Sequence, residues 1–354
     1  MPPVLLIVAV TIAAALATGG LVDVARRWSL RHALLDTPND RSSHEVATPR
    51  LGGVAFAPVL LGGLLLIGWG QPDLAVDLRS VAILAAVGLV VALVSLADDL
   101  RSQPAWLRLV MHLAAACSVA LVLRTVPVID AGPFGVLALN APASAALTVL
   151  WIAGFINAFN FMDGIDGIAG SQALVAGAGW VVFGVLLALP FLTLVGALLL
   201  GTAGGFLIHN WSPARIFMGD AGSALLGLLL ATVPWTLGRP DLWLASVLLV
   251  WPFAFDSAFT LMRRALRGER LWEAHRSHLY QRLVISGWSH RAVAGLYASL
   301  SGLGVACGVA LLVGSTAVTP IALGGLVVAA LALWAMVAHV ERLDARAART
   351  RTDA

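Results

Sequence analysis

Asp98 and Asp99 stand side by side at the end of the apolar run VVALVSLA. Two neighbouring carboxylates repel each other unless a cation lies close. The pair therefore reads as a metal site or a base for phosphate, and the plain alternative is a solvated helix terminus. In NAFNFMDGIDGIAG, which starts at Asn157 and includes Asn160, the acids Asp163 and Asp166 are three apart and each is followed by glycine. On a helix they would share a face; in a turn the glycines let backbone approach a ligand. An EF-hand is excluded, because the later acidic ligands and the closing glutamate are missing. Asp220 sits between Gly219 and Ala221-Gly222-Ser223, just before another apolar run. It reads either as a helix N-cap or as a hard-oxygen ligand for magnesium, with the N–H groups of the following helix facing a phosphate. His275 and His278 in WEAHRSHLYQRL lack the further ligands of a zinc site. Beside Arg276 and Arg282 they suit a phosphorylated ligand, against the plain reading of a polar loop. Carboxylates for a divalent cation, glycine turns and an Arg/His loop are the parts of phosphoryl transfer, where catalysis is positioning and charge neutralisation.

The elements that must position these residues are membrane helices. The chain has 354 residues, 60% apolar and 12% charged, against about 25% charged in soluble proteins, and its mean hydropathy is +0.92. Apolar runs recur from end to end, each long enough to cross a hydrocarbon layer of ~30 Å. Eleven spans are expected, near 4–22, 51–69, 81–97, 106–124, 144–161, 171–189, 191–208, 221–237, 242–262, 291–314 and 319–340. The fold class predicted is all-α, a polytopic helical bundle. It forms a single membrane-embedded domain over 1–340 with catalytic loops at 23–50, 98–105, 162–170, 209–220 and 263–290, and a cytoplasmic tail at 341–354. A soluble enzyme, a disordered tail protein, a collagen and a disulfide scaffold are excluded by composition. All 22 basic residues are arginine, so Schiff-base chemistry and a Walker P-loop, which need lysine, are excluded too. Cys117 and Cys307 lie in apolar runs and read as small core residues. The net charge of +3 gives no sign of a nucleic-acid partner.

With the N-terminus outside and the C-terminus inside, 19 arginines fall on the inner side and 3 on the outer, as the positive-inside rule demands. The chemistry-bearing acids and most histidines fall on that inner side as well. Asp256, in WPFAFDSAFTLMRR, lies inside its expected span. An aspartate there costs ~2.5–3.5 kcal/mol on insertion scales, so it should face the bundle interior and have a partner.

These segments, taken in order with DTPNDRSSHEVATPRLGG at Asp36–Gly53, resemble the polyprenyl-phosphate N-acetylhexosamine-1-phosphate transferases of glycosyltransferase family 4. HRSHLYQRL is most similar to the branch that initiates O-antigen. By that resemblance Asp98 and Asp99 match the paired aspartates near lipid phosphate and metal. Asp220 matches the magnesium ligand, and Asp99 is expected to hold the metal with it. Asp163 and Asp166 match the acids of the nucleotide site, near Asn157 and Asn160. Asn210 matches the asparagine ahead of the metal loop, and His275 and His278 the late histidines near the sugar phosphate. Arg50, Arg276 and Arg282 are the cations expected at substrate. This chain departs from the pattern in two ways. Arg276 and Ser277 separate the histidines, and Arg50 and Arg101 are the nearest substitutes for lysines found in some relatives. The resemblance implies transfer of a sugar-1-phosphate from a UDP-N-acetylhexosamine to undecaprenyl phosphate in the bilayer of a bacterial inner membrane, releasing UMP and starting a cell-envelope glycan. The cofactor expected is magnesium, with manganese able to replace it. A homodimer, a covalent two-step route and the phospho-MurNAc-pentapeptide transferase branch stay open. A transporter, which would carry ionisable groups mid-bilayer, is the rival of another class.

Overall fold

The computed structural model describes residues 2–38, 46–70, 76–101, 103–122, 128–130, 135–271, 273, 275–314 and 317–352. The middle of the Asp36–Gly53 motif, 39–45, lies outside the described residues.

The apolar runs become helices because a segment in lipid must satisfy its backbone internally. In chain order these are α1 (Val4–Arg31), α2 (Phe56–Gly70), α3 (Leu78–Leu100), α4 (Ala105–Val122), α5 (Ala141–Met162), α6 (Ile168–Leu186), α7 (Pro190–Asn210), α8 (Asp220–Thr232), α9 (Pro240–Leu249), α10 (Trp251–Leu266), α11 (Leu279–Ile285), α12 (His290–Leu312) and α13 (Val318–Thr352). Local chemistry sets several starts. Asp77 caps α3 by accepting from Arg79 N at 3.1 Å, Asn140 caps α5 from Ala143 N at 2.9 Å, and Pro190 opens α7, where its missing N–H is no loss. Two short antiparallel ribbons, Leu35–Asp36 with Thr48–Pro49 and Val128–Asp130 with Val136–Ala138, are the strands among the described residues.

Among the described residues, nine helical segments are long and apolar enough to span a membrane, or ten if α9 and α10 count as one; the apolar stretch of α4 is shorter. The protein is thus an all-α, multi-pass membrane protein. The single span expected at 242–262 is instead a pair of helices bent by 76°. Pro252 in the first turn of α10 has no N–H and disfavours a helical residue before it, so the ladder breaks at Val250–Trp251. Of the two cysteines, Cys307 is buried as expected, but Cys117 is exposed on α4; both are free. The 341–352 stretch continues α13 as helix.

Burial grades the bundle from centre to rim. The apolar windows of α7 and α8 are 78% and 83% buried, whereas those of α1 and α13 are 11% and 17% buried. Without a hydrophobic drive between helices in lipid, close approach of small residues holds such seams. Along α1 and α7 a methyl at Gly201 or Gly205 would strike the carbonyl oxygens of Thr11 and Ala15. α8 is therefore fixed in the middle, and its first residue is Asp220.

Candidate active site

Successive helices end and begin at one face of the bundle, where the polar loops meet. α3 arrives with Asp98 and Asp99, both 7% exposed. α8 departs from the same point, and its first N–H groups have no partner within the helix. Asp99 supplies partners. Its Oδ1 accepts from Asp220 N at 2.9 Å and its Oδ2 from Ala221 N at 3.0 Å. The acid thus lies against the positive end of α8. Gly219, at φ +74°, makes this fit possible, because a Cβ there would meet the Arg50 carbonyl and lie 2.8 Å from Asp99 Oδ2. The loop before α8 is clamped by the segment before α2. Phe217 N donates to Pro49 O at 2.7 Å, Gly52 N to Phe217 O at 2.9 Å and Gly53 N to Met218 O at 2.6 Å.

Asp220 projects into a small polar network. Its Oδ1 accepts from Asn160 Nδ2 at 2.9 Å, and the same amide reaches Ser223 Oγ at 2.9 Å. Its Oδ2 lies 3.2 Å from Arg108 Nη1, which also reaches Asp98 Oδ2 at 3.2 Å. The other Asp98 oxygen accepts from Gln103 N. Arg108, on the first turn of α4, is thus the guanidinium that bridges two acids from different helices. Asn157 is half-buried on α5, one turn before Asn160.

The DGIDG turn joins α5 to α6 beside this network. Burial first, then the charges of Asp220 and Asp99, hold the Asp163 carboxyl well above the usual carboxylate range. Among the described residues no group donates a hydrogen bond to it. Asp166 behaves oppositely. Burial would raise it, but hydrogen bonds from His290 and Ala214 N and the His290 charge leave it below its ordinary value. Asn210 is buried and ties two loops together, accepting from Gly167 N at 3.0 Å and donating to Ile216 O at 2.9 Å.

The histidine loop is anchored from beneath by Asp256, which is 0% exposed. The bend at Pro252 turns α10 so that this acid meets the start of α11. Oδ1 accepts from Leu279 N at 2.9 Å, His278 Nδ1 at 3.1 Å and Thr260 Oγ1 at 3.1 Å; Oδ2 accepts from Tyr280 N at 3.1 Å and Tyr297 Oη at 2.5 Å. The partner expected for a buried aspartate is therefore His278, with its flanking backbone. The carboxylate, which can only accept, faces Nδ1–H and so fixes the ring's orientation. His275 lies beside it, its ring tilted by 31° with centroids 5.0 Å apart. Burial, then the charges of His278 and Arg264, push its pKa down to about 4. Tyr280 joins this loop to the end of α5, just before the DGIDG turn, by donating to Phe161 O at 2.9 Å.

The structure thus brings Asp98, Asp99, Asp220 and Asn160 into one network with Arg50 close by. Asp163 borders it, and Asp166 with Asn210 forms an adjoining knot. His275 and His278 make a third group, linked through Tyr280. Arg282 does not join them; it pairs with Glu341 on α13, and Arg276 lies beside it at a separate cavity. Arg108, His290 and Tyr280 were not singled out from sequence. The readable signal for Arg108 was an arginine inside WLRLVMHL, a position that demands partners; His290 and Tyr280 carried none. Among the described residues no three His, Cys, Asp or Glu side chains form a ready metal cage. Asp220, partnered by a neutral amide and a shared arginine, and Asp163, with no donor, are the acids with ligand capacity left.

The sequence pattern of Glycosyl transferase family 4 matches residues 81–238, from α3 through α8. The chain is 29% identical to a Mycobacterium tuberculosis protein named decaprenyl-phosphate N-acetylglucosaminephosphotransferase, over 80% of this chain and 77% of that one. A Mycolicibacterium smegmatis protein of the same name is 30% identical over 75% and 72% of the two chains. A Synechococcus phospho-N-acetylmuramoyl-pentapeptide-transferase is 31% identical over 81% and 86%. The aspartate network and the DGIDG turn fall inside the matched pattern, and the relatives extend over most of the chain, so this protein belongs to glycosyl transferase family 4.

Proposed function

We propose that the chain transfers N-acetylglucosamine-1-phosphate, or the phosphate of a related amino sugar, from a UDP-sugar to undecaprenyl phosphate and releases UMP. A sugar-phosphate transferase acting on a polyprenyl phosphate is what the relatives' names describe. The observation that carries the reading is the convergence of Asp98, Asp99, Asp220 and Asp163 at the ends of membrane helices, with Arg108 bridging Asp98 and Asp220. Acids in that number repel a phosphate unless cations offset them.

Asp220 and Asp163 fit magnesium, which takes one or two carboxylates and completes its shell with water and substrate oxygens. When bound, the ion neutralises the diphosphate and polarises its oxygens. Asp99 keeps Asp220 aimed by holding the start of α8. Arg108 presents a guanidinium to the acceptor phosphate. Asp98, held by Arg108 and Gln103 N, orients that phosphate or takes its proton. An oxygen of the lipid phosphate then attacks the β-phosphorus, the bond to the α-phosphate breaks, and UMP leaves. His278, fixed by Asp256, stands with neutral His275 on the sugar-phosphate side. Asn157, Asp163, Asp166 and Asn210 shape the nucleotide side. Arg50 contributes positive charge to the network.

The arginine distribution supports a site facing the cytoplasm of a bacterial inner membrane, where UDP-sugars are made. Initiation of O-antigen or a similar envelope glycan fits the HRSHLYQRL segment. The test is a panel of radiolabelled UDP-sugars given to purified protein with undecaprenyl phosphate. Label in a lipid-linked product with UMP released supports the reading; no product from any UDP-N-acetylhexosamine overturns it.

A further inference from the structure

A cavity of about 260 Å3 opens between the end of α10, the histidine loop, α11 and α13. Its lining includes Arg263, Arg267, Arg276 and Arg282, with Glu341 as the acid and Ile285 as an apolar wall. Arg282 is neutralised by Glu341. Arg263 reaches Ser277 O at 2.7 Å through Nη2, while its buried Nε has no hydrogen-bond partner. Arg267 meets Glu269 only at 4.0 Å. Guanidiniums gathered in this way around one cavity repel one another, and an anion with several oxygens relieves the repulsion and meets the open donors.

The position of the cavity tells which anion. Glu341 lies two residues before the end of the apolar span Val318–Leu343 of α13, so the cavity sits at headgroup depth. Leu266 is 82% exposed next to Arg267, and Ile285 is 58% exposed on the wall itself. A water-soluble nucleotide gains nothing from those side chains, whereas a lipid lays its acyl chain against them with its phosphate among the arginines. Basic pockets between membrane helices are the known setting for anionic headgroups.

We propose that this cavity binds the phosphate of an anionic glycerophospholipid from the surrounding bilayer, at a place separate from the aspartate network. The test places the full-length protein in nanodiscs of phosphatidylcholine alone or with about one-quarter phosphatidylglycerol, then counts retained lipids by native mass spectrometry. The parent should keep one phosphatidylglycerol and no phosphatidylcholine. Replacing both Arg263→Gln and Arg267→Gln should weaken retention roughly twenty-five-fold, taking about one factor of five per arginine. If the double variant does not fold, Arg267→Gln alone, at an exposed side chain, should lose about fivefold. UDP should leave the bound lipid in place. Equal retention of both lipids, or unchanged retention in the folded variant, overturns the proposal. Displacement of the lipid by UDP also overturns it and assigns the cavity to the nucleotide donor.

Discussion

Asp256→Asn tests whether the acid under the histidine loop acts through His278. The amide keeps an oxygen for Leu279 N and His278 Nδ1 but turns an NH2 toward Tyr280 N and Tyr297 Oη, which both donate to Oδ2 in the parent. Leaving one buried backbone N–H without an acceptor costs ~1–3 kcal/mol. The bonds to Oδ1 also lose their charge assistance, worth roughly half their strength. The fold should therefore weaken by about 2–4 kcal/mol and still form. A neutral amide still accepts from His278 Nδ1 but holds the ring less firmly and no longer offsets positive charge developing on it, so turnover should fall by about ten- to a hundredfold, or ~1.4–2.7 kcal/mol, with KM for the donor near that of the parent. Initial rates of lipid-linked product across donor concentrations, beside a thermal melt in the same detergent, read both effects. A folded variant that turns over within about twofold of the parent, or one that loses only KM, would refute the positioning role.

Asp220→Asn keeps the size of Asp220, the first residue of α8 and not its cap, but removes its charge. It should lose at least ~100-fold in rate, or ~2.7 kcal/mol, and a calorimetric titration should show weaker magnesium binding; chelator should abolish activity of the parent. Near-normal rate at equal magnesium would leave Asp220 as a structural partner of Asn160 and Arg108. Gly219→Ala should destabilise by roughly 1–3 kcal/mol, since φ +74° and the nearby Arg50 carbonyl and Asp99 leave no room; an unchanged melt would contradict that packing. His275 has a folded pKa of about 4 against ~6.5 unfolded. Below ~6.5 the unfolded chain takes up a proton that the folded one refuses, so stability should fall as pH drops from ~6.5 toward ~4. His275→Gln should shrink that loss, and identical melting profiles for the two proteins would remove the cause. Arg270→Cys, in a chain stripped of Cys117 and Cys307, should resist an impermeant thiol reagent in intact cells, and labelling would reverse the proposed orientation.

The membrane fold was legible because apolar length is set by bilayer thickness, and helices formed at the expected runs. The break in the 242–262 run was less legible. Pro252 marks it, but a proline in a membrane span is tolerated often enough that sequence alone does not fix a 76° bend. Asp163, Asp166 and Asp220 stood out through their glycines and Asp98 and Asp99 through their pairing, yet their division of labour did not. Asp98 and Asp99 are adjacent in sequence, and only the packing of α3 against α8 decides that Asp99 meets backbone N–H groups while Asp98 meets Arg108. Asp256 was readable as an acid needing a partner, while the partner's identity depended on a fold contact across 22 residues. Arg276 and Arg282 shared a motif with the histidines but not a direction, since alternate residues of a loop need not face the same cavity.

The measurement that bears most directly on the central claim is the fate of the donor's β-phosphorus. Purified protein in nanodiscs receives undecaprenyl phosphate and UDP-N-acetylglucosamine labelled at that atom. Transfer of the sugar together with its phosphate predicts that the label moves into the lipid fraction in equal measure with the sugar, while UMP accumulates. Label that stays with a soluble nucleotide as UDP while the sugar reaches lipid, or sugar and label both remaining soluble, would contradict it.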